Sequence, residues 1–196
     1  MSKFKVLLLL AFAAVSMPTA LLAAEYAIDT AHSEVSFKIR HMGISKVYGR
    51  FAEFEGGFHY DADKPGASSA SAMIQLASID TDNEDRDAHL RSPDFFDVEK
   101  FPEMSFSGSK IRDIDEDGFK LEGELSLHGV TRPVVLDVEL LGTVTDPWGN
   151  ERAGFTATTS INRKDFDLTW NKVMEAGGLV VGDEVDITIE IEGIKS

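Results

Sequence analysis

Most of the chain alternates between apolar and polar residues, and this period of two constrains the fold more than any other feature of the sequence. Six runs follow the pattern, within residues 34–40, 71–76, 119–127, 134–141, 155–161 and 185–192. Such a run has one face for the core and one for water, as an antiparallel sheet requires. With 47–60 and 104–110 counted as two further strands, the sequence predicts an all-β domain of about eight antiparallel strands.

Eight is a number of strands at which an up-and-down sheet closes into a barrel, and closure removes its exposed edges. The interior of such a barrel is either filled by side chains or holds one small ligand. A sandwich of two sheets is the structural competitor, and the alternation alone does not distinguish the two.

Residues 81–102 interrupt the alternation. The polar stretch at 85–90 predicts a short helix, and four apolar residues then follow closely, at Phe95, Phe96, Val98 and Phe101. A segment of this length with its own apolar cluster is more than a turn. We therefore expect a short helical insertion that plugs or covers one end of the barrel.

The first 24 residues have the order of a secretory signal peptide. Lys3 and Lys5 precede an apolar run at 6–15, and Ala23 and Ala24 supply small residues at a cleavage point. The run is shorter than the roughly 20 residues that a membrane-spanning helix needs. We expect residues 1–24 to be removed and residues 25–196 to form one domain in a bacterial periplasm, without stable membrane insertion.

Charge and cysteine content narrow the possible functions. The chain has 34 acidic and 19 basic residues, a formal net charge of −15, and no Cys. A surface this acidic repels phosphate backbones, so we expect no nucleic-acid partner. A domain of this length can bury a sufficient core without disulfides, even in an oxidising compartment.

Motifs for catalysis and metal binding are weak in this sequence. It lacks a serine in a G-x-S-x-G elbow, and its five His residues are not spaced as metal ligands. The acidic run from Asp113 to Glu124 fits a calcium-loop pattern, but residues 119–127 alternate as a strand. We interpret it as an acidic hairpin turn and expect no catalytic residue, metal or cofactor.

Several motifs together resemble the YceI-like family over essentially the whole chain after residue 24. The two most specific are RDAHLRSPDFFDV at 86–98 and HGVTRP at 128–133. Further similar stretches lie at 29–37, 41–51, 78–81, 101–102, 125–134 and 162–166. One position departs from the family pattern, since Asp167 stands where similar proteins usually carry Gly.

The resemblance implies a lipocalin-like antiparallel barrel of eight strands with a short helical insertion. It also implies a long apolar cavity for a polyisoprenoid, an isoprenoid quinone or a similar amphiphilic lipid, and no catalytic machinery. Family members do not share one physiological role, so carriage, storage and stress protection are all compatible with it.

Strand alternation, rather than the resemblance, supplies candidate ligand-binding residues. The expected apolar lining is Phe37, Ile39, Phe51, Phe54, Ile74, Leu76, Phe106, Leu136, Val138 and Phe155. Polar candidates for holding a headgroup near an open end are His41, Arg86, His89 and Arg163. For the two arginines, ion pairing to nearby Asp residues is the alternative interpretation.

The preferred hypothesis is therefore a periplasmic lipid-binding protein, with a second copy of the chain as a further candidate partner in a homodimer. One alternative is an enzyme acting on a hydrophobic substrate in the same cavity. The other is a barrel with a solid core that serves as a stress or interaction protein. Converging His and carboxylate side chains would favour the enzyme, and a barrel without an interior void would favour the solid core.

Overall fold

A computed structural model describes residues 24–175 and 177–196. Except for Ala24, the expected signal peptide at 1–24 lies outside the described residues, so its cleavage stays a prediction. None of the helices in the described part of the chain is long and apolar enough to cross a membrane.

The described residues are mostly strands. The strands are β1 Ala24–Ile28, β2 Glu34–His41, β3 Ser45–Phe51, β4 Phe54–Tyr60, β5 Ser69–Gln75, β6 Ile79–Asp80, β7 Glu103–Arg112, β8 Gly118–Leu127, β9 Val130–Thr145, β10 Glu151–Asn162 and β11 Val181–Lys195. One α-helix, α1, spans Glu84–Arg91, and 3₁₀ turns occupy Pro65–Ala67, Leu76–Ser78 and Arg163–Phe166.

These segments form a closed antiparallel barrel of eight strands. Strands β1 and β2 both pair with β11, so together they make one barrel strand. In the same way β3 and β4 make the second, and β5 with β6 makes the third. Strands β7 to β11 follow in sequence order, and β11 closes the sheet by pairing with β1. The predicted all-β barrel is confirmed, and the sandwich is excluded.

The barrel has two different ends. The helix end carries the β2–β3 turn, residues 81–102, the β8–β9 turn and residues 163–180. The hairpin end carries Ala24, the turns at 61–68, 113–117 and 146–150, and the C-terminus. The helical insertion predicted at 81–102 is confirmed, and Asn83 caps α1 by accepting a hydrogen bond from the backbone N–H of Arg86.

The acidic run at 113–118 is the tight turn between β7 and β8. The Asp115 carboxylate accepts hydrogen bonds from the backbone N–H groups of Asp117 and Gly118, at 3.0 and 2.9 Å. Glu124 lies along β8, where it pairs with Pro133 of β9. The Asp115 carboxylate therefore stabilises a hairpin turn, as the strand alternation after it predicts.

Asp167, the position that departs from the family pattern, has a left-handed backbone. It follows the 3₁₀ turn Arg163–Phe166, and its φ of +59° is one that glycine adopts without steric cost. The side chain is exposed, so it gains little packing in compensation.

We predict that Asp167→Gly raises the free energy of unfolding by roughly 0.5–1 kcal/mol, because it relieves this conformation. Asp165→Gly is the matched control: it removes the same charge two residues earlier, inside the turn, and should lower stability instead. Urea denaturation of both variants measures the two effects. A D167G variant no more stable than the parent protein would contradict the prediction.

An ion-pair network on the outer surface of the barrel stabilises its hairpin end. Arg152 donates to Asp29 at 2.7 Å and to Asp146 at 2.8 Å, and it also contacts Glu192. Asp29 stands where the first barrel strand leaves the sheet, between β1 and β2. The bond from Arg152, with a second from His32, lowers the pKa of Asp29 to about 2.

A carboxyl whose pKa is lower in the folded state stabilises the fold above its unfolded pKa of about 4. That contribution is lost as the pH falls from about 4 toward 2. We predict that Arg152→Gln lowers the free energy of unfolding at neutral pH. The further loss of stability between pH 4 and pH 2 should be smaller in this variant than in the parent protein. Lys38→Gln, which removes a more exposed cation that pairs with Asp186, should leave this loss unchanged. Thermal unfolding followed across this pH range would contradict the prediction if both variants gave the same curve.

Candidate functional site

A cavity of about 430 Å³ runs through the interior of the barrel. All eight barrel strands contribute to its lining, which extends from Leu90 and Trp170 at the helix end to Tyr60 and Ile111 at the hairpin end. The volume lies within the range of about 300–1,000 Å³ that is typical of small-molecule sites. The barrel is therefore hollow, which does not match the alternative of a solid core.

Buried apolar side chains form two clusters, one toward each end of the barrel. Phe51, Ile79 and Phe166 belong to the cluster at the helix end. Tyr26 and Phe155 belong to the cluster at the hairpin end. Members of both clusters also line the cavity, which therefore extends from one cluster to the other.

Nine of the ten apolar residues expected from strand alternation line the cavity. They are Phe37, Ile39, Phe51, Phe54, Ile74, Phe106, Leu136, Val138 and Phe155. Leu76 does not, because β5 ends at Gln75 and Leu76 begins a 3₁₀ turn that breaks the alternation. Its side chain is fully buried in the cluster at the helix end. That the nine residues contact a ligand stays a prediction.

Glycines in the wall make room for the phenylalanine rings. A Cβ at Gly49 would lie 2.5 Å from Cζ of Phe37, and one at Gly193 would lie 2.5 Å from Cζ of Phe58. Phe106 lies against two glycines, since a Cβ at Gly108 or Gly123 would come within 2.8 or 2.6 Å of its Cζ. The rings thus rest along the wall in space that any other residue would fill, which leaves the centre open.

We predict that Gly49→Ala pushes the Phe37 ring into the cavity and weakens the uptake of a fluorescent fatty acid. The three atoms nearest to the methyl group belong to the side chains of Phe37 and Thr81, so the ring can move while the backbone stays in place. The cost in stability should be about 1–3 kcal/mol. Adding Phe37→Leu to Gly49→Ala should restore uptake. Unchanged uptake in the single variant, measured by fluorescence titration, would contradict this role of the glycine.

The four polar candidates all lie at the helix end and all line the cavity. Arg86 of α1 is fixed by Thr81, whose hydroxyl oxygen accepts from its Nε and whose carbonyl accepts from its Nη2, each at 2.7 Å. The Thr81 hydroxyl in turn donates to the buried Asp87 carboxylate. These bonds hold the Arg86 guanidinium at the cavity mouth, where the structure gives its Nη1 no partner among the described residues.

Arg163 is 3% exposed and is occupied by the fold itself. Its Nε donates to the carbonyl of Gly182 at 2.8 Å, and its Nη1 donates to the carbonyl of Leu168. Nη2 lies 3.7 Å from Asp183, and both of these atoms are buried without a hydrogen bond. Burial lowers the pKa of Arg163. The arginine ties the turn after β10 to β11, which is closer to the ion-pairing interpretation than to a headgroup site.

His89 belongs to an aromatic group that sequence reasoning missed. Its ring packs edge-on against Phe95 and Trp170, with centroids 5.0 and 4.9 Å apart. Its Nε2 lies 2.9 Å from the Asp94 carboxylate. Trp170 follows the 3₁₀ turn at 163–166 and had no periodic pattern around it, so its aromatic character was the only available signal.

The cavity wall carries His41, His59 and His89 as groups able to transfer protons. No Asp or Glu lines the cavity among residues 24–175 and 177–196. The His89–Asp94 pair is the closest approach to a His–carboxylate arrangement at the mouth, and Asp94 itself lies outside the lining. The arrangement suits the binding of an apolar chain with a polar group at the helix end.

Fold and cavity define a closed antiparallel barrel that encloses an apolar binding cavity. The chain belongs to the YceI-like family, whose domain model matches residues 26–193. A UPF0312 protein of Vibrio cholerae is 39% identical over 185 residues, covering 93% of this chain and 94% of the relative. A UPF0312 protein of Ectopseudomonas mendocina is 41% identical over 176 residues, covering 89% of each.

Solved structures share the fold. The YceI protein of Campylobacter jejuni is 33% identical with a TM-score of 0.69, covering 86% of this chain and 96% of that one. Burkholderia cenocepacia BcnA is 23% identical with a TM-score of 0.74, covering 84% and 98%. A polyisoprenoid-binding domain from Saccharophagus degradans is 18% identical with a TM-score of 0.63, covering 89% and 100%. The last two likenesses concern the fold alone.

Proposed function

We propose that this protein binds a polyisoprenoid, an isoprenoid quinone or a similar amphiphilic lipid inside the barrel, and that it does so in the periplasm. The observation that carries the proposal is the continuous apolar cavity, about 430 Å³ in volume and without a carboxylate in its described wall. The polyisoprenoid-binding domain of Saccharophagus degradans, which has the same fold, supports the class of ligand. The periplasmic location rests on the pattern of residues 1–24 alone.

The driving force would be burial of the hydrocarbon chain. Each Å² of apolar surface removed from water contributes roughly 25 cal/mol, so a chain of several isoprene units needs no polar contact to bind. Aromatic and branched aliphatic side chains from opposite walls, such as Phe106 and Ile189, would surround it.

Polar contacts would then set the orientation of the ligand, with its headgroup at the helix end. Arg86 and His41 line the cavity there, and Arg86 is already held in place by Thr81. Arg163 is not assigned to the headgroup, because its hydrogen bonds to Gly182 and Leu168 occupy it. Arg86→Gln should therefore weaken the binding of an anionic amphiphile more than that of an uncharged one.

We further propose binding without chemical conversion, so the protein is not an enzyme. An enzyme would use the His89–Asp94 pair for proton transfer. The His89 ring, however, is packed against Phe95 and Trp170. A carrier should return its ligand unchanged, so a lipid recovered from the protein should have the mass of the lipid supplied. A product of different mass, lost in His89→Gln, would favour the enzyme.

Native mass spectrometry of the gently extracted protein tests the proposal directly. A variant with a large side chain inside the cavity is compared with a variant that carries the same side chain on the outer face. Ala157 lines the cavity on β10, between Val138 and Ile189 of the neighbouring strands. Thr158, the next residue, is exposed on the opposite face. We predict a co-purified lipid in the parent protein and in Thr158→Trp, and a markedly lower lipid content in Ala157→Trp.

The expected size of the effect follows from lost contact. If the indole displaces about 60 Å² of ligand surface, binding weakens by about 1.5 kcal/mol, or roughly tenfold. Titration with a fluorescent fatty acid measures it. Protein recovered empty, together with no uptake of the probe by the folded parent protein, would refute lipid binding.

A further inference from the structure

Four exposed apolar side chains stand together at the helix end, and we call them the rim patch: Met42, Ile44, Val173 and Leu179. Ile44 is 88% exposed and Val173 is 74% exposed, which is unusual for residues of this size and polarity. Their side chains contribute little to the barrel itself, so they are free to contact another surface.

Backbone contacts bring the two turns of the rim patch side by side. The N–H of Met42 donates to the carbonyl of Val180 at 2.8 Å, which joins the β2–β3 turn to residues 171–180. Within that second turn Val173 and Leu179 are bridged to each other. The patch is therefore one surface of the folded protein.

Three cations flank the rim patch. Arg40, Lys46 and Lys172 are exposed, and in the described residues none has a carboxylate within 4.0 Å. The two turns, at 40–46 and 171–180, contain a single acid, Glu175. Asp183, Glu184 and Asp186 line a surface pocket together with Arg40 and Lys46, so the excess of positive charge is confined to the two turns themselves.

The rim patch also adjoins the mouth of the cavity. Arg40, His41 and Val180 line the cavity, and each lies within two residues of a member of the patch. A surface seated on the patch would thus face the opening through which a ligand at the helix end would pass.

We propose that the rim patch docks this protein reversibly on an anionic phospholipid bilayer; the use of this contact to load or release lipid rests on the proposed function. Apolar tips flanked by cations suit the interface between headgroups and acyl chains. The helical insertion at 81–102 is acidic and is repelled by the same surface, so charge complementarity favours docking through the rim patch and its flanking cations rather than through the whole helix end.

Co-sedimentation with vesicles tests the proposal. We expect the protein to bind vesicles made of equal parts of phosphatidylcholine and phosphatidylglycerol, and to bind pure phosphatidylcholine much more weakly. The double variant Ile44→Ser with Val173→Ser should lower the partition coefficient at least tenfold. The matched control is Val144→Ser with Trp148→Ser, which removes exposed apolar residues from the hairpin end and should have no effect.

The contribution of the cations that flank the rim patch can be measured separately from that of its apolar side chains. Lys46→Gln and Lys172→Gln should each lower binding to the anionic vesicles about fivefold, and raised salt should have the same effect. Neither change should alter the weak binding to phosphatidylcholine. Circular dichroism of each variant establishes that it is folded before its binding is interpreted.

Failure of docking is distinguishable from failure of lipid binding. The filled-cavity variant Ala157→Trp should keep vesicle binding while its binding of the fatty acid weakens roughly tenfold. Absence of vesicle binding by the parent protein, or an equal loss in the Val144/Trp148 control, would overturn the proposal. So would a rim-patch variant that binds vesicles normally but changes from dimer to monomer in sedimentation velocity, since the patch would then bind a second copy.

Discussion

Closure of the sheet between the first and last strands is the constraint on which the rest of the structure depends. Strand β1 contributes only three residue pairs to β11, from Tyr26–Lys195 to Ile28–Gly193. Beyond them the chain leaves the sheet, and Ser33 returns it by exchanging hydrogen bonds with the backbone of Glu192. Strand β2 then continues along β11, so a break of a few residues does not open the barrel. Every other pairing joins two of the eight barrel strands that are consecutive along the chain. The pairing of the first barrel strand with β11 therefore decides whether an enclosed interior exists.

Closure alone does not make the interior hollow, because eight strands can equally enclose a packed core. The difference lies in where the aromatic rings rest. Phe37 and Phe106 lie over glycines of the wall, and Tyr26 stacks on Phe58 with centroids 4.9 Å apart. Rings that lie along the wall or against one another near an end do not meet at the axis. The abundance of Phe and the abundance of Gly in the sequence thus have a common structural reason, because glycines in the wall make room for phenylalanine rings.

The fold was largely predictable from sequence because alternation is a local signal that an antiparallel sheet preserves. Residues 185–192 alternate cleanly, and they lie in the middle of β11. The signal failed where the backbone departs from regular pairing. Residues 47–60 form β3 and β4 with an interruption at Ala52, whose N–H donates to Ser78 outside the strand. The alternation also predicts Leu76 in the cavity, and this prediction is wrong because Leu76 begins a 3₁₀ turn. Such a turn changes the direction of a side chain, while the hydrophobicity that the sequence reveals stays the same.

The polar part of the site was less predictable, because the role of a charged side chain depends on partners distant in sequence. Arg163 and Arg86 have similar surroundings in the sequence, yet one is bound to the carbonyls of Leu168 and Gly182, and the other is presented at the mouth by Thr81. The two ends of the barrel differ in the same way. The hairpin end is packed by Tyr60 against Phe155, and burial raises the pKa of the Tyr60 hydroxyl. The helix end instead gathers the helical insertion and the cationic turns, and the arginines that line the cavity, Arg40, Arg86 and Arg163, all lie at this end.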